Sequence, residues 1–269
     1  MKIVKLIALL LATPLLILVL LMVQNPAVDY AIYISIFFVG LVILYMFSPQ
    51  VEWWWAQRYP PKPSPNMIKF LKEHFQYFNQ LSGADKDKFL LRLNYFIMAK
   101  EFTPKVGKKV PVPLQTMIAA EGVRVTFGLE DYLIESHERI VIYPHPFPSP
   151  AYKKLHHSET FHEDGVLIFA SSPVINQFKG IGNIFNIVLY EWISAYAKKE
   201  NVTFPSFDDN EWKTLGLAFM TPKALVQASI GLPTFDEGIA GAVIYLEQKE
   251  LFKKKLPKQA EQFHRIFNQ

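Results

Sequence analysis

Two stretches near the start of the chain carry no charge and almost no polar side chain, residues 6–23 and residues 30–47. Both are dominated by Leu, Ile, Val and Phe, and each runs for 18 residues. At about 1.5 Å of rise per residue, such a run makes roughly 27 Å of helix, close to the hydrocarbon thickness of a bilayer. A cleaved leader is the competing reading of the first run, with Lys2 and Lys5 as its basic start. No small-x-small cleavage site follows, only Met22-Val23-Gln24-Asn25-Pro26 and then the second apolar run. The pair therefore predicts a transmembrane helical hairpin within residues 1–50. Lys2 and Lys5 precede it, the turn from Gln24 to Asp29 has no Lys or Arg, and Arg58, Lys62, Lys69 and Lys72 follow. Basic residues collect on the cytoplasmic side. The expectation is a multi-pass protein of a bacterial-type inner membrane, with both termini and the soluble part in the cytoplasm. Pro14 predicts a kink in the first helix that neighbouring contacts tolerate. Trp53, Trp54 and Trp55 follow the second run, where amphipathic rings favour the headgroup layer.

Beyond the apolar runs the pattern changes. Residues 51–65 read as a Trp-rich interfacial segment and a stiff linker built on Pro60, Pro61, Pro63 and Pro65. Residues 66–269 read as one domain. Met67, Phe70, Leu71, Phe75 and Phe78 recur at helical spacing over 66–81. Ser82 is placed to cap a second helix running to about Lys100, with Phe89, Leu93, Phe96 and Ile97 on its apolar face. The 105–113 segment, with Gly107 and two prolines, reads as a loop, and 115–127 as a third helix. Short aliphatic runs at 139–143 and 165–170, each bounded by turn residues, predict strands. Between them lies a proline-dense stretch and then a polar segment carrying His156, His157 and His162. Everything from 183 onward predicts helix, over about 183–199, 208–220, 235–248 and 259–267. The fold class is α+β, mostly helical with a small sheet.

Composition narrows the chemistry. There is no cysteine, which excludes disulfides, thiolate catalysis and Cys-ligated zinc. The net charge is +4, and much of the excess lies beside the apolar runs, where it meets anionic lipid. No basic stripe interleaved with aromatics appears, which argues against a nucleic-acid partner. His156, His157 and His162 read as a solvated polar loop, His145 as a turn residue, and His74, His137 and His264 as surface.

On the helix predicted over 183–199, residues fall at 100° steps. Ile184, Phe185, Val188, Leu189, Trp192, Ile193 and Tyr196 fill one face. Asn183, Asn186, Tyr190, Glu191, Ser194 and Lys198 fill the opposite arc, where a lone Glu is ordinarily solvated. The stretch Asn186-Ile187-Val188-Leu189-Tyr190-Glu191-Trp192-Ile193-Ser194 resembles the N-x-x-x-H-E-x-x-H helix of the Mlc titration factor A family of zinc peptidases. The run from Lys100 to Pro104, Met117-Ile118-Ala119-Ala120, Ile142-Tyr143-Pro144 with Phe147, Gly165-Val166 and the C-terminal segment from Leu251 to Phe267 resemble further elements of that family in the same order. The likeness covers about residues 70–269.

The resemblance implies a zincin-like peptidase domain. In such a site two histidines one helical turn apart hold zinc, and the glutamate between them acts as general base on the metal-bound water. In this chain the histidine positions are Tyr190 and Ser194, and only the general-base position, Glu191, is kept. A phenol and a hydroxyl are poor zinc donors, so the expectation is a lost zinc site and no bound metal. The family's third ligand is a glutamate on a later helix, for which Glu237 is the candidate. The leading expectation is an inactive, membrane-anchored relative that binds a peptide or protein partner. Two alternatives stay open. One is an active zinc peptidase using Glu191, Glu237 and a histidine from 156–162. The other is a membrane scaffold or assembly protein.

Overall fold

The computed structural model describes residues 3–182 and 184–268. Lys2 and Asn183, used above for orientation and for the start of a helix, lie outside the described residues. The chain forms two compact units, Met1–Lys62 and Pro63–Gln269.

The described residues of the first unit form three helices, α1 (Ile3–Gln24), α2 (Ala31–Met46) and α3 (Ser48–Arg58). Pro14 lies inside α1, and no residue of α1 is buried. Among the described residues, α1 is the one helix long and apolar enough to cross a membrane by itself, a test that a leader helix also passes. α2 is shorter than the apolar run suggests and ends at Met46, where Pro49 opens a new helix. α2 and α3 together make one further span only if their 69° bend is counted within it. The three tryptophans therefore sit in a helix of their own.

The second unit holds α4 (Pro65–His74), α5 (Gln76–Gln80), α6 (Gly83–Met98), β1 (Glu101–Pro104), α7 (Val112–Val125), β2 (Arg139–Tyr143), β3 (Ser158–Phe161), β4 (Val166–Ala170), α8 (Ser171–Phe178), α9 (Ile187–Glu200), α10 (Asp209–Ala218), α11 (Lys223–Ile230), α12 (Glu237–Glu247), α13 (Lys249–Lys255) and α14 (Pro257–Phe267). Side-chain caps fix many of the starts. The hydroxyls of Ser64 and Ser82 accept from the N–H of Met67 and Asp85. Asp208 and Glu211 form a reciprocal capping box at α10.

The sheet order is β1-β2-β4-β3. β1 and β4 run parallel to β2, and β3 closes the edge antiparallel to β4. Phe102 pairs with Ile140, Ile140 with Leu167, and Glu159 with Ile168. α7 runs through the middle of the unit with nearly every residue buried. It packs against α6 and α9, and Gly122 permits the approach, because a Cβ there would strike the Phe96 ring. The Trp192 indole crosses Phe96 edge-on at 4.9 Å and donates to the Ile118 carbonyl at 2.8 Å.

Several expectations need correction. The helix over 66–81 breaks at Phe75, whose backbone leaves the helical region (φ −126°, ψ 89°). β1 and β3 were not expected. Each has four residues, too short for a period-two pattern to show. The segment read as a solvated histidine loop contains β3, and His156 is fully buried in it. His137, read as surface, is also fully buried. The C-terminal region gains two helices, α11 and α13, while α9 begins at Ile187 rather than 183.

Candidate functional site

Asn186 sets the start of α9. Its side-chain oxygen accepts from the Leu189 N–H at 2.9 Å, capping the helix one turn before Tyr190 and Glu191. β3 lies against α9. Because strand side chains alternate, Ser158 and Thr160 share one face.

Glu191 is 3% exposed, so the solvated arc expected for it is buried instead. Thr160 donates its hydroxyl to the Glu191 carboxylate at 2.5 Å. Burial pushes the Glu191 carboxyl up to about 7, and the Thr160 and Ser158 hydroxyls pull back against it. No hydrogen bond of ordinary geometry reaches the buried Ser158 hydroxyl.

Tyr190 is buried too. The backbone N–H of Asp236 donates to its hydroxyl at 2.9 Å. Burial, then the adjacent Glu191, raises the phenol above its ordinary value. Asp236 caps α12 through the Ile239 N–H, so the tyrosine ties α9 to the first turn of α12. Glu237, the first residue of α12, is half exposed and pairs with Lys223 at 2.5 Å. Ser194 lies one turn beyond Tyr190 and is partly exposed.

The structure adds two histidines to this neighbourhood. The Ser194 hydroxyl faces His162 Nε2 at 3.3 Å, His162 Nδ1 faces His137 Nε2 at 3.2 Å, and His137 Nδ1 faces the Ser136 hydroxyl at 2.9 Å. Neutral tautomers satisfy all three, with the donors running from Ser194 to Ser136 or in the reverse direction. Burial, the His162 ring and Lys100 hold His137 down to about 4, and burial followed by Lys198 lowers His162. Both rings are therefore neutral near pH 7. The other two histidines of the 156–162 segment have partners of their own. His156 meets the Lys154 carbonyl at 2.9 Å and the buried Glu159 carboxylate at 3.0 Å, while His157 meets the Ser229 carbonyl at 2.7 Å.

These partners decide whether zinc fits. The Tyr190 oxygen is held by a backbone N–H, Glu191 is held by Thr160, and Glu237 is held by a lysine. Ser194 offers only a hydroxyl that already faces His162. Among the described residues no group of three or more His, Asp or Glu side chains is arranged to hold a metal ion. The donors present do not fit zinc. Sequence reasoning found Tyr190, Glu191, Ser194 and Glu237 through the motif and missed Thr160, Ser158 and His137. The alternation of Ser158 and Thr160 was the one local signal for the first two, and His137 had none.

Comparison with known families supports the resemblance. A family described as glucose-regulated metallo-peptidase M90 matches residues 51–194. The matched stretch begins inside α3 and ends at Ser194, so it contains Tyr190 and Glu191 and stops short of Glu237. No curated protein matches the chain at a significant level. With more than half of its 269 residues matched, the chain belongs to the glucose-regulated metallo-peptidase M90 family.

Proposed function

We propose that this chain is a membrane-anchored member of its family that has exchanged zinc chemistry for the binding of a peptide or protein partner. The observation that carries the reading is the Tyr190 hydroxyl fastened to the Asp236 backbone. A side chain at the first histidine position that ties two helices together serves the fold, and function resides in sites rather than in folds. Zinc analysis of the purified full chain tests it. The expected content is far below one ion per chain, and near-stoichiometric zinc overturns the reading. A second arm measures casein cleavage. Wild type and Glu191→Gln should both stay at background, and cleavage by wild type alone would favour the peptidase alternative.

The anchor in this proposal is a hairpin of α1 and the bent α2–α3 pair, with both termini and the domain on the cytoplasmic side. The charge-free lengths and the placement of Lys and Arg support it. The absence of native cysteine makes the test direct. A cysteine introduced at Val28 should react with an impermeant maleimide from outside the cell, and one at Lys108 only after permeabilisation. Cleavage of the chain after α1 would remove the hairpin.

A further inference from the structure

A cavity of about 480 Å³ lies away from α9. It sits where β1 and β2 end and α7 and α8 begin, and its lining includes Pro104, Ile142, Pro144 and Ser171. Ligands of open parallel sheets gather outside the carboxyl ends of the strands. Leu114, Met117, Ile142 and Ile175 contribute apolar walls. Among the described residues, the charged ones lining it are Lys109 and Lys179, both exposed. Lys105 and Lys108 stand on the same β1–α7 loop, and Val106 on that loop is 72% exposed. Among the described residues no carboxylate lines the cavity.

We infer that this cavity binds a single-chain anionic amphiphile, with the hydrocarbon against Leu114, Met117 and Ile175 and the anionic head between Lys109 and Lys179. The volume suits a small ligand. Apolar walls favour a hydrocarbon chain. A cationic rim without a compensating acid selects an anionic head over a neutral or cationic one. Carboxylate and phosphate heads share this chemistry, and the test separates them.

The full chain, reconstituted in lipid nanodiscs, is dialysed against radiolabelled decanoate, with empty nanodiscs as reference. One saturable site per chain is expected above the reference. Affinity should rise about four-fold per methylene from octanoate to decanoate, the worth of a buried CH₂. Decyl phosphate in place of decanoate reports the head group. Binding of either one alone or of both supports the inference and assigns the head as carboxylate, phosphate or both. Decanol should bind at least about ten-fold more weakly, and decyltrimethylammonium or inorganic phosphate not measurably. Charge reversal by Lys109→Glu with Lys179→Glu should weaken the anions at least about ten-fold and leave decanol unchanged. Both lysines are exposed, so the fold persists, which circular dichroism checks. The partly buried Ile175→Trp should fill the cavity and block every ligand. The inference is overturned if no saturable excess appears, if charge reversal leaves anion binding unchanged, or if inorganic phosphate matches decyl phosphate.

Discussion

On its β3 side α9 buries Glu191 against two hydroxyls. At its N-terminus, Asn186 reaches a second buried carboxylate, Glu121, which stands beside a guanidinium. Asn186 donates to Glu121 at 2.7 Å and to Glu247 at 2.9 Å, and Arg124 lies 3.4 Å from Glu121. Burial raises both carboxyls. Arg124 opposes that rise at Glu121, whereas the strongest opposition at Glu191 comes from the Thr160 hydroxyl. Two ends of one environment thus differ: Glu121, on α7 and met by the α9 cap residue Asn186, is compensated by charge, and Glu191, on α9 itself, is compensated by dipoles. A neighbouring cation and neighbouring hydroxyl dipoles both favour the ionised carboxylate against burial, by different physics.

The sharpest way to break the contrast is to remove the cation. Arg124→Met leaves Glu121 buried without its guanidinium and should cost about 3–5 kcal/mol in urea unfolding. An effect below about 1 kcal/mol would show that Asn186 suffices. Next in size is the pH response of Glu191. Its carboxyl titrates near 7 when folded against 4.5 unfolded. Below 4.5 both states hold the proton. Between 4.5 and 7 only the folded state keeps it, so stability falls as pH rises, by roughly 3 kcal/mol once pH exceeds 7. Glu191→Gln lacks this loss. It should match wild type near pH 4 and exceed it at pH 8, and parallel stability curves would remove the contrast. Thr160→Val deletes a charge-assisted hydrogen bond and should cost about 1.5–3 kcal/mol at pH 8, with less effect at pH 5. Lys223→Met breaks the half-exposed pair with Glu237 and should change stability by less than about 1 kcal/mol. A larger loss would give Glu237 a structural part that its exposure does not suggest.

The same contrast explains what the sequence made legible. Tyr190, Glu191 and Ser194 stand in a contiguous pattern, so their relation to a zinc helix is local and readable. The burial of Tyr190 and Glu191 is not local. For Glu191 it depends on β3, four residues whose packing on α9 joins segments some thirty positions apart. Helical periodicity placed Glu191 opposite the apolar face, which is correct for a helix packed on one side. α9 is packed on several sides, by α7, α12 and β3. His137 misled for the same reason: Glu135 and Glu138 flank it, yet its own ring turns inward to meet His162. Helix starts were easier, because Ser82 carries its cap in the adjoining residues.

The bond between Tyr190 and Asp236 also sets what a designed zinc site would meet here. A chain given histidine at position 190 alone would lose the link from α9 to α12 and still lack a second imidazole at 194. Histidine at 194 alone would displace Ser194 from His162 and find no partner imidazole one turn earlier. Each single change to histidine therefore removes a contact before any metal is held. On the proposed reading the two positions are coupled, so a zinc site is built here only by changing both together.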